Sequence, residues 1–333
     1  MNVLSINQLS MDLPTASGPR RVIHEVTLDV GEGEAVGLVG ESGAGKSMTA
    51  RAVIRLVPRG ARTQGDITFN GTSVLSMGSA TLRAYRRRDV AMIFQDPRAA
   101  INPVRRIGDF LVESLIDRGD SEASALMVVT EILESVGITD VTRRLRQYPH
   151  ELSGGLLQRV MIAAALAIEP KLLLADEPTT ALDVTTQSDV MVNLDTQRRV
   201  RGLAMIFVTH DLELASAVCD RIAVMYAGFL VEDSPAEGLH RQALHPYTAA
   251  LLASRPSVNA RERRLVAIPG RPLSAFEVEE GCAFASRCPF AQERCRVERP
   301  LLRTVGRGRV ACHRTEELQG QLDANKMRED ARG

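Results

Sequence analysis

Gly40-Glu41-Ser42-Gly43-Ala44-Gly45-Lys46-Ser47 is the stretch on which the reading of this chain turns. It follows a short apolar run, Gly33 to Val39, and precedes KSMTARAVIRLV, whose composition suits a helix. Strand, glycine-rich turn and helix in that order gather backbone N–H groups and the positive end of a helix dipole around one point. That cradle suits the phosphates of a nucleotide, with Gly40, Glu41, Ser42, Gly43, Ala44, Gly45, Lys46, Ser47 and Met48 lining it. Lys46 is placed to reach the β- and γ-phosphates and Ser47 to ligate Mg2+.

The second half of such a site is Leu172-Leu173-Leu174-Ala175-Asp176-Glu177, an apolar strand ending in two carboxylates. Asp176 is expected to hold Mg2+ and Glu177 to polarise the attacking water as general base. Two acids after a strand mean little alone, because a solvated strand end looks the same; behind a phosphate loop they complete a P-loop NTPase. Further buried-strand candidates are Val90 to Phe94, Lys171 to Ala175, Ala204 to Val208 and Ile222 to Met225, mostly separated by helical patterns. Their alternation predicts an α/β fold with a mainly parallel sheet.

Composition narrows the function classes. Lys+Arg and Asp+Glu both number 41, so no global field draws the chain to nucleic acid. The longest apolar stretches, Val160 to Ile168 and Leu203 to Val208, fall short of the roughly 18 to 20 residues that cross a bilayer. No secretory signal is visible at the start, so the expected compartment is the cytosol. Disulfides are not expected among the five cysteines there.

Leu152-Ser153-Gly154-Gly155-Leu156-Leu157-Gln158-Arg159, upstream of the acidic strand, resembles the signature motif of the ABC ATPase family. Gln95 resembles that family's Q-loop, Ala181-Leu182-Asp183 its D-loop and His210 its switch histidine, all in the family's order over residues 1–235. A GTPase reading wants Asn-Lys-x-Asp, and Asn325-Lys326-Met327-Arg328 lacks the Asp. The resemblance implies a RecA-like core with an N-terminal antiparallel β part and a helical insertion at about 97–169. It implies that Ser153, Gly154 and Gly155 bind the ATP of a partner subunit and that Gln95 joins Ser47 and Asp176 at Mg2+. His210 contacts the γ-phosphate on this reading and joins Lys46, Gln95 and Glu177 as a catalytic residue. The chain departs from the family in having Leu156 and Leu157 after the signature glycines. It also has no aromatic residue before Phe69 to stack on adenine; Arg20 or Arg21 can stack on the base, or both are simply solvated.

After about Pro235 Pro, Arg and Cys become frequent, and a second segment, 236–333, is expected. Cys282, Cys288, Cys295 and Cys312 gather soft thiolates in one segment, as zinc or an iron–sulfur group needs, although the spacing matches neither standard pattern and four small buried residues read the same way. Cys219 reads as a core residue. His245 to Leu252, Ile268 to Pro272, Gly281 to Phe284, Arg287 to Pro289 and Val310 to Cys312 look like the C-terminal extension of oligopeptide and dipeptide importer ATPases. Gln95-Asp96-Pro97-Arg98 and Ile101-Asn102-Pro103 are similar to the same group. That likeness implies a [4Fe–4S] cluster on the four cysteines, with zinc second, besides ATP and Mg2+. It implies an ATPase at the cytoplasmic face of the cell membrane that powers di- and oligopeptide uptake. The implied partners are a second ABC ATPase, two transmembrane permeases and an extracytoplasmic peptide-binding protein, with no nucleic acid. A nickel or metal-chelate importer is the alternative, and a soluble non-transport ABC ATPase the alternative of another class. The polar last twenty residues are expected to fray.

Overall fold

The chain opens with two long strands, β1 (Asn2–Thr15) and β2 (Gly18–Gly31), whose apolar residues bury Leu4, Ile6, Leu9, Ile23, Val26 and Leu28. A computed structural model describes residues 1–179, 184–254, 268–278 and 280–323. Next come β3 (Ala35–Val39), buried at every position, α1 (Lys46–Val53), β4 (Arg62–Phe69) and β5 (Thr72–Ser73). Strand order β2-β1-β4-β5 makes the N-terminal β part, with β4 and β5 antiparallel. The chain then forms α2 (Ser79–Arg88) and β6 (Val90–Ile93) before the helical insertion.

That insertion comprises α3 (Ile107–Arg118), α4 (Glu122–Ser135), α5 (Val141–Arg146) and α6 (Gly154–Ala167). Ile107, Leu111 and Leu115 recur every four residues and give α3 one buried face. Gly119 ends α3 with a left-handed φ of 110°, and the Ser121 hydroxyl caps α4 by accepting from the Ser124 N–H. Downstream lie β7 (Leu172–Asp176), α7 (Val184–Arg201), β8 (Ala204–Thr209), α8 (Leu212–Val218), β9 (Arg221–Tyr226) and β10 (Phe229–Pro235). The C-terminal extension adds α9 (Pro246–Ala253), α10 (Glu293–Val297), β11 (Arg303–Val305) and β12 (Gly308–Val310).

The elements group into two compact units. One, residues 1–4, 30–35 and 68–208, contains the helical insertion and three parallel strands, β6 against β7 and β7 against β8. Continuous burial along β7 and β8 is what strands covered on both faces require. In the other unit, residues 5–29, 36–67 and 209 onward, β3 pairs parallel with β9, and β9, β10, β12 and β11 follow in antiparallel order. The two-residue turn between β9 and β10 has positive φ at both Ala227 (46°) and Gly228 (86°), the geometry that matches strand twist in a tight hairpin. Against the expected frayed end, residues 313–323 form turns that bury Thr315, Leu318 and Leu322; residues 324–333 lie outside the described ones.

Strand β10 carries Glu232, Asp233 and Ser234 at buried positions, and each acid has partners. Arg221 donates to both oxygens of Asp233 at 2.6 and 2.7 Å, and Arg309 on β12 donates to Oδ2 at 3.0 Å. Glu232 accepts from the Ser234 hydroxyl and from the Leu244 and His245 N–H groups at 2.9–3.0 Å, which fixes the start of α9; burial nonetheless raises its pKa. Replacing Asp233 by Ala strands two guanidinium groups, and we expect a loss of about 3 kcal/mol in denaturant unfolding, against less than half that for Arg309→Ala.

On β2, His24 stacks on Phe229 with ring centroids 4.2 Å apart, and its Nε2 is buried with no hydrogen-bond partner among the described residues. Burial, ahead of the nearby Arg299 charge, brings its pKa down to about 4. Unfolding returns the ring to its ordinary range near 6.5, so between those values the unfolded chain binds the additional proton. This contribution is complete above about pH 6.5 and is lost as pH falls toward 4; thermal melts across that window should show a shallower decline for His24→Gln than for the native chain.

Candidate functional site

The phosphate loop leaves the end of β3 beside β9, and the space there dictates its glycines. A Cβ on Gly40 would lie 2.1 Å from the Met225 carbonyl oxygen, closer than any side-chain carbon can come. Gly43 (φ 80°) and Gly45 (φ 98°) turn the chain into α1, with Gly45 at its N-cap. The turn is held open from inside: Lys46, 5% exposed, donates from Nζ to the Gly40 and Glu41 carbonyls at 2.8 and 3.0 Å. The Gly228 N–H donates to the Ala44 carbonyl at 3.0 Å, tying the β9–β10 turn to the loop. Ser47 and Met48 follow on the first turn of α1. The amides of this turn and the Lys46 ammonium together suit a polyphosphate.

The acidic pair ends β7 in the other unit. Asp176 is fully buried in register with Val208, while Glu177 turns out of the strand with φ 45°, an uncommon conformation for a residue other than glycine. The Glu177 N–H donates to the Val208 carbonyl, and its Oε2 accepts from Gln95 Nε2 at 2.9 Å. Gln95, two residues beyond β6, and Glu177 are thus brought together in the same unit. Ser153 is the N-cap of α6 and accepts from the Leu156 N–H at 3.4 Å, with Gly154 and Gly155 opening the helix and Ser153 exposed. An anion can meet a hydroxyl and free helix-start amides there. Of the two leucines after the signature glycines, Leu157 is fully buried in the insertion and Leu156 is half-buried. His210 is exposed between β8 and α8, and Asp183 lies outside the described residues. Of the two arginines considered for adenine, Arg21 donates to Asp12 at 2.9 Å and to Gln64 at 3.3 Å, which holds the Asp12 carboxyl below its usual range; Arg20 is exposed.

Contacts that the sequence did not disclose surround Glu41. Its N–H donates to the Tyr247 hydroxyl at 2.9 Å, and its carboxylate takes both arms of Arg287 at 2.7 and 3.2 Å. Arg287 also donates to the Pro269 carbonyl at 2.8 Å and lies against Tyr226 and Phe284, rings that pack with Tyr247. Tyr247 and Arg287 sit in stretches singled out only by resemblance, and 206 and 246 residues separate them from Glu41, too far for any local signal.

Cys282, Cys288, Cys295 and Cys312 line one cavity, with His245 and Phe284 in its wall; Cys219 is buried elsewhere. Burial pushes the Cys282 thiol up to about 12 and Cys288 to about 11, so a metal must displace their protons. Among the described residues no three His, Cys, Asp or Glu side chains are drawn close enough to hold a metal ion. One tetrahedral zinc needs its sulfurs on bonds of about 2.3 Å. Four thiols lining one cavity are the soft donor type that zinc and iron–sulfur groups take.

Known proteins share this layout. The ABC transporter family model matches residues 23–180, and that of the oligopeptide/dipeptide transporter C-terminal region matches residues 231–295. The oligopeptide transport ATP-binding protein OppD of Salmonella typhimurium is 40% identical over 318 residues, covering 95% of each chain. The dipeptide transport ATP-binding protein DppD of Escherichia coli is 39% identical over 316 residues, 94% of this chain and 97% of that one. Among solved structures, the dimeric post-hydrolysis state of the ATP-binding cassette MJ0796 bound to ADP and Pi superposes with a TM-score of 0.64 at 26% identity, over 71% of this chain and 99% of that one. Cassette motifs, cassette fold and extension coincide along one chain, and this protein belongs to the ABC transporter ATP-binding family, among the oligopeptide and dipeptide transport subunits.

Proposed function

We propose that the chain is the ATP-hydrolysing subunit of an importer that powers uptake of di- and oligopeptides. The observation that carries this reading is the match of residues 231–295 to the oligopeptide/dipeptide transporter C-terminal region, on a chain 40% identical to OppD along 95% of its length. As an ABC ATPase it binds ATP with Mg2+. The nickel and non-transport alternatives draw no support from the relatives described above.

In this reading residues 1–235 are the motor and 236–333 the extension. The loop Gly40 to Met48 wraps the phosphates, Lys46 neutralises the β- and γ-oxygens, and Ser47 and Asp176 hold Mg2+ with Gln95. Glu177 orients and deprotonates the attacking water; its bond to Gln95 supports that role, because it ties the base to the Q-loop residue that leads into the helical insertion. His210 meets the γ-phosphate, and Ser153, Gly154 and Gly155 meet the ATP of a second cassette. One phosphate loop per chain makes a pair of cassettes necessary, whether identical or related. No helix among the described residues is long and apolar enough to cross a membrane, so two permease subunits supply the path and hold the motor at the cytoplasmic face. A peptide-binding protein outside the cell delivers the cargo. Cys282, Cys288, Cys295 and Cys312 would hold a [4Fe–4S] cluster, which would supply a staple and a redox-active centre; zinc, the second choice, would supply the staple alone.

Glu177→Gln keeps the shape of the acid and removes the base. It should leave ATP affinity within about twofold of native and lower turnover by at least about 100-fold in single-turnover assays; normal turnover would take Glu177 out of the role. In cells carrying the native chain or Glu177→Gln, uptake of labelled di- and oligopeptides should fail in the variant alone, with nickel uptake unchanged; loss of nickel uptake alone would overturn the cargo class.

A further inference from the structure

Glu41 is an odd residue to find in a loop that cradles a polyanion. A carboxylate there repels phosphate unless its charge is compensated close by. No cationic side chain of the loop is paired with it in the structure; Lys46 is turned to the backbone carbonyls of Gly40 and Glu41. Compensation comes from the far end of the chain. Arg287, 5% exposed in its side chain, forms a two-armed ion pair with Glu41, and Tyr247 accepts the Glu41 N–H. Neither partner is loose. Arg287 is held by the Pro269 carbonyl and the Tyr226 hydroxyl and ends a short helical turn between Cys282 and Cys288. Tyr247 is fully buried on the first turn of α9, against Tyr226 and Phe284.

We propose that the C-terminal extension completes the phosphate site: Arg287 and Tyr247 are positioning residues that fix Glu41, and with it the entry of the loop, in its ATP-binding shape. They act through the loop and do not touch the reacting atoms. Backbone amides that cradle phosphate work only in one arrangement, and a fork of two charge-assisted hydrogen bonds on a rigid turn holds that arrangement before ATP arrives. The inference rests on the ATPase reading above. It adds that the cysteine-bearing segment is part of the nucleotide site, because Arg287 stands within it.

The interaction strengthens substrate and transition state alike, so its loss should appear in affinity and spare the chemical step. The test uses the full chain, titrated with ATP and Mg2+ by calorimetry, and the assembled transporter for steady-state hydrolysis. Arg287→Met, close in volume and uncharged, should raise the ATP dissociation constant about tenfold and KM in parallel, with kcat within about twofold of native. Arg287→Lys should recover only part of the affinity, since a lysine restores charge without the fork. Glu41→Gln combined with Arg287→Met should bind ATP no more weakly than Arg287→Met alone, the non-additivity of two groups that act as one pair. Tyr247→Phe, which removes one hydroxyl and leaves the ring packing, should weaken binding in the same direction and serves if Arg287→Met does not fold. Native ATP affinity in both Arg287→Met and Tyr247→Phe would overturn the proposal, as would a kcat loss equal to the KM change. A native chain that itself fails to bind ATP would instead sink the ATPase reading, which keeps the two failures apart.

Discussion

The closeness of one carbonyl to one α-carbon sets the terms for the second unit. The chain must turn out of β3 where the Met225 oxygen of the neighbouring strand leaves no room for a Cβ, and so Gly40 is obligatory. That approach presses the phosphate loop against the β9–β10 turn, where Gly228 can reach the Ala44 carbonyl. Once the loop is pinned to β9, whatever packs on the next residue of β9 is also beside the loop. Tyr226 is that residue, and the aromatic cluster it forms with Tyr247 and Phe284 carries Arg287 to Glu41. A steric exclusion at one glycine thereby brings Arg287 of the extension to the glycine-rich loop.

Much of this was legible in the sequence for simple reasons. Short apolar runs just behind a proline or a glycine, such as Leu172 to Ala175 and Ala204 to Val208, read as strands covered on both faces, and both are buried throughout. The glycine-rich loop is legible because Gly40 stands where a Cβ has no room and Gly43 and Gly45 take positive φ. A hydroxyl ahead of two glycines and an apolar helical run is the kind of position where a helix cap forms, and Ser153 is one.

What stayed hidden was hidden by polarity and by distance. Strand β10 reads Phe-Leu-Val-Glu-Asp-Ser-Pro, and two acids in a row argue against a buried strand until their partners are known. Those partners, Arg221, Arg309 and the amides of Leu244 and His245, come from elsewhere in the chain, so no window of sequence contains the compensation. Residues 313–323 look solvated in the sequence for a related reason: only a few side chains, Thr315, Leu318 and Leu322, do the burying. Arg21 was offered a nucleotide base, yet Asp12 on the facing strand had the stronger claim.

The short hairpin of β11 and β12 has a meaning beyond the contacts it makes. A sheet that stopped at β10 would present a row of unpaired N–H and C=O groups to any other extended chain, the situation that invites edge-to-edge aggregation. Here β12 occupies that edge, with Glu232 opposite Val310 and Asp233 opposite Arg309. The protecting strand is supplied by residues some 75 positions further on. During synthesis the cassette's edge therefore stands open until the last part of the chain has emerged, and the motor is not a module that can be cut away or transplanted at Pro235 without a substitute for its missing border.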